Sequence, residues 1–201
     1  NFIFFYFWLD YFDINSIINV DDISPKLFKN FEINKIFSYR EIIKKINSKN
    51  IVNFESKKLN LNLIDNSNSK IDLAYGRLSF SKNFQLLDSN INCKGNSNLI
   101  IEYPILYFDC IITSEDKRKL LKKFSINYQK KNKKLNLKVK GNLNFLNKKI
   151  NFNTIRLDKN YNASKEDLIY FKNTFEIILF DDKFVNIFEL DKFRKFFKEI
   201  F

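Results

Sequence analysis

The chain has 201 residues, 45% apolar and 29% charged, the size of one medium globular unit with one real core. With no His, two Cys, three Gly and two Pro, it has no histidine general base, His-ligated zinc, four-cysteine site or glycine-rich phosphate loop. The net charge of +12 has two readings, a surface for nucleic acid or anionic lipid and a drift toward Lys, Asn, Ile and Phe, all of which have A/T-rich codons; the second is favoured.

The chain opens on Asn1 and contains no Met, so it is read as a fragment of a longer product. The apolar run from Asn1 to Leu9 stops at Asp10, about half of the roughly 20 residues a membrane helix needs, and fits a buried strand or core segment better. Residues 1–53 are expected to be irregular and aromatic-rich, continuing an upstream domain. A turn is expected at Ser24-Pro25, and a short helix capped by Ser38 over Tyr39 to Ile46.

From residue 54 the apolar period becomes two, and residues 54–158 are expected to form an antiparallel sheet. Leu59, Leu61 and Leu63 alternate with Asn. Ile71, Leu73 and Tyr75 follow a polar stretch, Asp65 to Ser69, which is expected to be a hairpin loop placing Leu63 across from Ile71. The phase slip at Gly76 predicts a bulge or bend. A strand over 86–93 is expected to close at Lys94 to Ser97. Leu99 to Ile112 then reads either as one strand covered on both sides or as two strands broken at Pro104. Ser114 is expected to cap a charged helix, Glu115 to Phe124, with acids in its first turn.

The clearest hairpin runs from Leu135 to Leu157. Leu135, Leu137, Val139, Gly141, Leu143 and Phe145 hold one parity, and a two-residue turn at Asn147-Lys148 would set Phe145 across from Ile150 and Leu143 across from Phe152. The shift of the apolar set to Ile155 and Leu157 predicts a bulge near Asn153-Thr154. Residues 159–201 return to helical period. Ser164 to Asp167 resembles a capping box, Leu168, Phe171, Phe175 and Ile178 form one stripe, and Asp191 caps a second stripe of Phe193, Phe196, Phe197 and Ile200. This tail is expected to pack on the sheet rather than lie on a membrane, because Asp181, Asp182, Glu189 and Asp191 interrupt its basic face.

Chemistry is sparse. The adjacent acids Asp21-Asp22 and Asp181-Asp182 sit at expected element boundaries and read as cap or turn residues. Glu102 and Asp109 read as the solvent side of strands. Cys93 and Cys110 read as two unbridged thiols, since a hairpin closing at 94–97 would hold them apart. The run Lys130, Lys131, Lys133 and Lys134 with Tyr128 nearby mimics a nucleic-acid patch, yet reads more simply as a solvated hairpin tip. No enzyme, metal or cofactor is expected.

The segments Ile71-Asp72-Leu73-Ala74-Tyr75-Gly76-Arg77-Leu78-Ser79-Phe80, Leu87 to Gly95, Lys138 to Phe145 and Lys149 to Ile155 resemble the C-terminal region of AsmA-like proteins, the TamB- and YhdP-related family of the bacterial envelope. The resemblance covers about three-quarters of the chain and includes no catalytic signature. It implies a long antiparallel β-groove; with the helices read from the residues, which depart from the family's pattern, the expected fold is α+β, a curved antiparallel sheet of open β-groove type with a short helix in the middle and amphipathic helices at the C-terminus. It also implies an anchor in the inner membrane upstream, a periplasmic location and outer-membrane biogenesis as the process. The groove would handle phospholipid or another acyl-chain lipid, and its lining would be Leu59, Leu61, Leu63, Ile71, Leu73, Leu135, Leu137, Val139, Leu143, Phe145, Ile150 and Phe152. The alternative is a basic module for nucleic acid, using Lys130–Lys134, Lys138, Lys140 and Tyr128; a nucleic-acid partner is not favoured.

Overall fold

The structure, a computed structural model, describes residues 11–20, 38–55, 66–86, 88–123, 126–127, 134–144, 146–180, 195 and 198–199. Nine strands form one open sheet in chain order: β1 (Phe12–Val20), β2 (Ile46–Glu55), β3 (Asn66–Ala74), β4 (Arg77–Leu86), β5 (Ser89–Asn98), β6 (Ile105–Ser114), β7 (Leu135–Asn144), β8 (Lys149–Leu157) and β9 (Tyr161–Asn162). Every pair is antiparallel except β1 with β2. Three helices longer than a single turn's fragment accompany it among the described residues: α1 (Arg40–Ile43), α2 (Lys117–Lys123) and α3 (Lys165–Phe180).

The sheet begins well before residue 54. The segment expected to be irregular supplies β1 and β2, the latter paired with β3 over Asn47–Glu55 and Asn66–Ala74. Its alternation is hidden because Ser16, Ser48 and Asn50 occupy inward positions while Ile17 and Ile51 point outward. The expected loop at 65–69 is likewise corrected: residues 66–69 are strand, hydrogen-bonded between β2 and β4, so Ile71 lies opposite Asn50 and Phe80 rather than Leu63. Small polar side chains suggested a turn, but strand pairing on both sides satisfies their backbone.

Two-residue turns set much of the meander. Tyr75 (φ 50°) and Gly76 (φ 87°) both adopt left-handed conformations and join Ala74 to Arg77, the geometry of a tight hairpin turn rather than a bulge. Asp88 (φ 58°) serves the turn between β4 and β5. β5 then runs through residues 94–97, which were expected to close it, and β6 starts directly after Pro104, where the ring's missing N–H removes nothing from the ladder.

Helix α1 is shorter than expected and has Tyr39, not Ser38, at its N-cap. Ser114 ends β6 instead of capping a helix. The cap of α2 is Asp116, whose Oδ1 accepts the Arg118 backbone N–H at 3.1 Å, and no acid lies in the first turn of α2. In the β7–β8 hairpin Leu143 faces Ile150 and Gly141 faces Phe152, because the connection spans 145–148 rather than two residues. The register jumps between Lys140 and Gly141, paired with Thr154 and Phe152, so Asn153 is the extra residue, at the place the parity change predicts.

Helix α3 starts on the expected capping box: Asp167 N–H donates to Ser164 Oγ at 3.1 Å and Ser164 N–H donates to Asp167 Oδ2 at 2.9 Å. Its Phe171, Phe175 and Ile178 are buried. Phe171 and Phe175 form the main core with Leu135, Leu137, Leu143, Ile150 and Ile155, and Phe152 meets Phe175 edge-on at 5.4 Å. Glu176 ties the helix to the sheet, its Oε1 accepting the Ile150 N–H at 2.9 Å. The first half of the expected C-terminal packing is therefore present, while the second stripe, Phe193, Phe196, Phe197 and Ile200, lies outside the described residues.

Candidate functional site

The strand register sorts the sheet into two unlike faces. One row reads Ile71, Phe80, Gly95, Phe108, Gly141 and Phe152 from β3 to β8; next to it on that side, Leu73, Leu78 and Ser97 pair across β3 to β5 and Leu106, Leu143 and Ile150 across β6 to β8. Directly opposed residues point to the same side of a sheet, so these rows build one apolar face. The other face carries Asn19, Asn53, Asn68, Asn83 and Asn92 in one row across β1 to β5. Neighbouring amides there bond in series: Asn68 Nδ2 donates to Asn53 Oδ1 at 2.7 Å, and Asn53 Nδ2 donates to Asn19 Oδ1 at 3.0 Å. They line a cleft of about 640 Å³.

The expected lining residues Ile71, Leu73, Leu135, Leu137, Val139, Leu143, Ile150 and Phe152 all fall on the apolar face. Leu59, Leu61, Leu63 and Phe145 lie outside the described residues. The eight do not share one environment, however. Leu135, Leu137, Leu143 and Ile150 are buried, and Val139 and Phe152 pack against the same cluster, which takes Leu121 from α2 and Phe171 and Phe175 from α3. They are core residues of a helix-on-sheet layer. Ile71 and Leu73, with Leu78 and Phe80 on β4, are only half-buried. Leu73 and Leu78 border a small separate cluster around Ile43 and Leu99.

The row Ser69, Lys82, Cys93, Cys110, Val139 and Ile155 crosses the same face from β3 to β8. It corrects the expectation of two free thiols: Cys93 and Cys110 are directly opposed, 4.1 Å apart at Cα, and form a disulfide. Because β5 continues through 94–97, the turn that was expected to separate them is absent.

Lys82 was not singled out by the sequence reading, although its phase carried the signal. It occupies the same parity as Leu78, Phe80 and Phe84, and among the described residues it is the one charged side chain on the apolar face of β1 to β8. Its Nζ stands 5.4 Å from the Phe84 ring centroid, a cation–π contact. Burial pushes its pKa down, since desolvation penalises the ammonium form. No carboxylate among the described residues pairs with it.

Charges on the opposite face behave differently. Asp109 sits between Lys94 and Lys140 in register and bonds Lys140 Nζ at 2.9 Å, so it is a cross-strand ion-pair residue. Lys134 pairs with Glu115 at 2.9 Å. Glu102 is exposed, and its backbone carbonyl accepts from Arg40 Nη2 at 3.1 Å. Tyr128, residues 130–133 and the pairs Asp21-Asp22 and Asp181-Asp182 lie outside the described residues. Among the described residues no group of three or more His, Cys, Asp or Glu could hold a metal, and no helix is long and apolar enough to cross a membrane. Comparison with family models, with curated proteins and with solved structures finds no match for this chain.

Proposed function

We propose that the chain is a non-enzymatic, AsmA-like module of the bacterial envelope that holds lipid acyl chains against the apolar face of its sheet, on the periplasmic side of the inner membrane. The observation that carries this reading is the one-sidedness of the sheet. Apolar rows continue from β3 to β8, while α3 packs chiefly on β8, leaving Ile71, Leu73, Leu78 and Phe80 half-buried. Apolar surface of that kind is stabilised by contact with another apolar body, at roughly 25 cal/mol per Å² removed from water. The Cys93–Cys110 disulfide supports an oxidising compartment such as the periplasm. The helix-covered residues of the β6–β8 half serve the fold in this reading, and the lipid-contacting surface is the β3–β4 half.

Photo-crosslinkers at Ile71, Leu73 and Phe80 are expected to capture phospholipid in bacterial cells, while crosslinkers at Asp72 and Ser79 on the other face are not. Equal capture from both faces would sink the proposal.

A further inference from the structure

We infer that Lys82 is an anchor for the carboxylate of a long-chain fatty acid whose hydrocarbon tail lies along the β3–β4 part of the apolar face. The inference rests on the lipid-holding reading above and adds a headgroup to it. A lone ammonium on an apolar face is unfavourable to bury, and such groups are found paired or serving a ligand. Lys82 has Phe80 and Phe84 two residues away on either side along β4, with Ser69 and the disulfide-bonded Cys93 across from it. None of these neutralises it. Ser69, half-buried, makes no side-chain hydrogen bond to a described residue and places a hydroxyl beside the cation. An ammonium and a hydroxyl side by side supply donors to the two oxygens of one carboxylate.

The surroundings select the rest of the ligand. From Lys82 the strand runs five residues to Arg77, about 17 Å at the usual strand rise, past Phe80 and Leu78. Ile71 and Leu73 lie alongside on β3. One cation matches one negative charge, and the flanking phenyl rings favour a compact headgroup over a bulky glycerophosphate. The fitting ligand is therefore a single-chain monocarboxylate.

The test is equilibrium binding of palmitate, of the alcohol of the same chain length and of a monoanionic phospholipid to the full chain, in wild type, Lys82→Gln and Lys82→Arg. Wild type is expected to bind palmitate at least about tenfold more tightly than the alcohol, the scale of one charge-assisted hydrogen-bonded pair. Lys82→Gln should erase that preference without changing alcohol affinity, and Lys82→Arg should keep most of it. Independently of any variant, palmitate carbon-13-labelled at the methylene next to its carboxyl group should show a nuclear Overhauser contact from those methylene protons to the Phe84 ring in the wild-type protein. If acid and alcohol bind alike, or Lys82→Gln leaves palmitate affinity intact, the anchor falls while the lipid reading stands. If the phospholipid binds most tightly and depends on Lys82, the carboxylate assignment is overturned. If none of the three binds, both the anchor and the lipid reading are overturned.

Discussion

Phe108 on β6 lies over Gly141 on β7, so that a Cβ added at Gly141 would come 2.7 Å from Phe108 Cζ and would also strike the Asn151 carbonyl oxygen. The same arrangement recurs one strand pair away, where a Cβ on Gly95 would come 2.8 Å from Phe80 Cζ. Phenylalanine and glycine therefore alternate across the middle of the sheet, each ring filling the space its neighbour leaves open. Gly141 also flanks the bulge at Asn153, where the chain bends.

Gly141→Ala should accordingly destabilise the protein by about 1–3 kcal/mol, the usual cost of forced overpacking. A drop in the urea midpoint with an unchanged slope checks this. A midpoint equal to wild type would show that β7 and β8 shift apart freely, against the packing described.

Phe175 and Glu176 are neighbours in α3 with separate duties. Phe175→Ala should cost about 3–5 kcal/mol through loss of contact with Phe152 and Phe171. Glu176→Ala should cost about 1–3 kcal/mol by leaving the Ile150 N–H without its acceptor. Ile177→Ala, at a side chain 64% exposed, should stay within about 0.5 kcal/mol. Three denaturation curves read the order directly, and a large effect at Ile177 would contradict the placement of the helix.

The Cys93–Cys110 bridge closes a loop of sequence separation 17, for which chain entropy predicts about 3 kcal/mol of stabilisation. Paired Cys→Ala substitution should remove about that much. Alkylation in denaturant without reductant should label neither cysteine in protein purified from an oxidising compartment. Two labelled cysteines would refute the bridge.

The Ser164 backbone N–H, and after it the Tyr161 hydroxyl, hold the Asp167 carboxyl below the ordinary carboxylate range. A depressed folded-state value contributes stability that is present above the unfolded pKa and is lost as pH falls through the folded one. The start of α3 should therefore loosen as pH drops below about 4, the unperturbed aspartate value. Amide protection at Ser164 and Asp167, taken relative to the intrinsic exchange rate at each pH, should fall at acid pH in wild type and be low already at neutral pH in Asp167→Ala. Protection unchanged with pH in wild type would argue against the cap.

A nucleic-acid role for the basic surface predicts affinity falling steeply with salt. Lys140 and Lys134 are each paired with an acid, so the expected outcome of a filter-binding titration is weak binding without a steep salt slope. A slope equivalent to several phosphate contacts would revive that function.

Local pattern carried the β7–β8 hairpin, its bulge near Asn153, the capping box at Ser164 and the buried stripe of Phe171, Phe175 and Ile178. In each case side chains alternate with a period that the backbone geometry itself imposes, so a short window of residues holds the information. The strands over 46–55 and 66–69 were not legible in the same way. Their inward positions include Ser48, Asn50, Ser67 and Ser69, and what makes them strands is hydrogen bonding to neighbours on both sides, a long-range property.

By itself the amino-acid sequence determined that this protein builds a sheet with one apolar side, followed by a helix able to cover part of it, because periodicity and capping are written in adjacent residues. Only the tertiary structure decided which part of that side α3 buries, that Cys93 meets Cys110, and that Lys82 faces the apolar side with no carboxylate partner among the described residues. Those relations depend on strand register, and register is set by contacts between residues far apart in the chain.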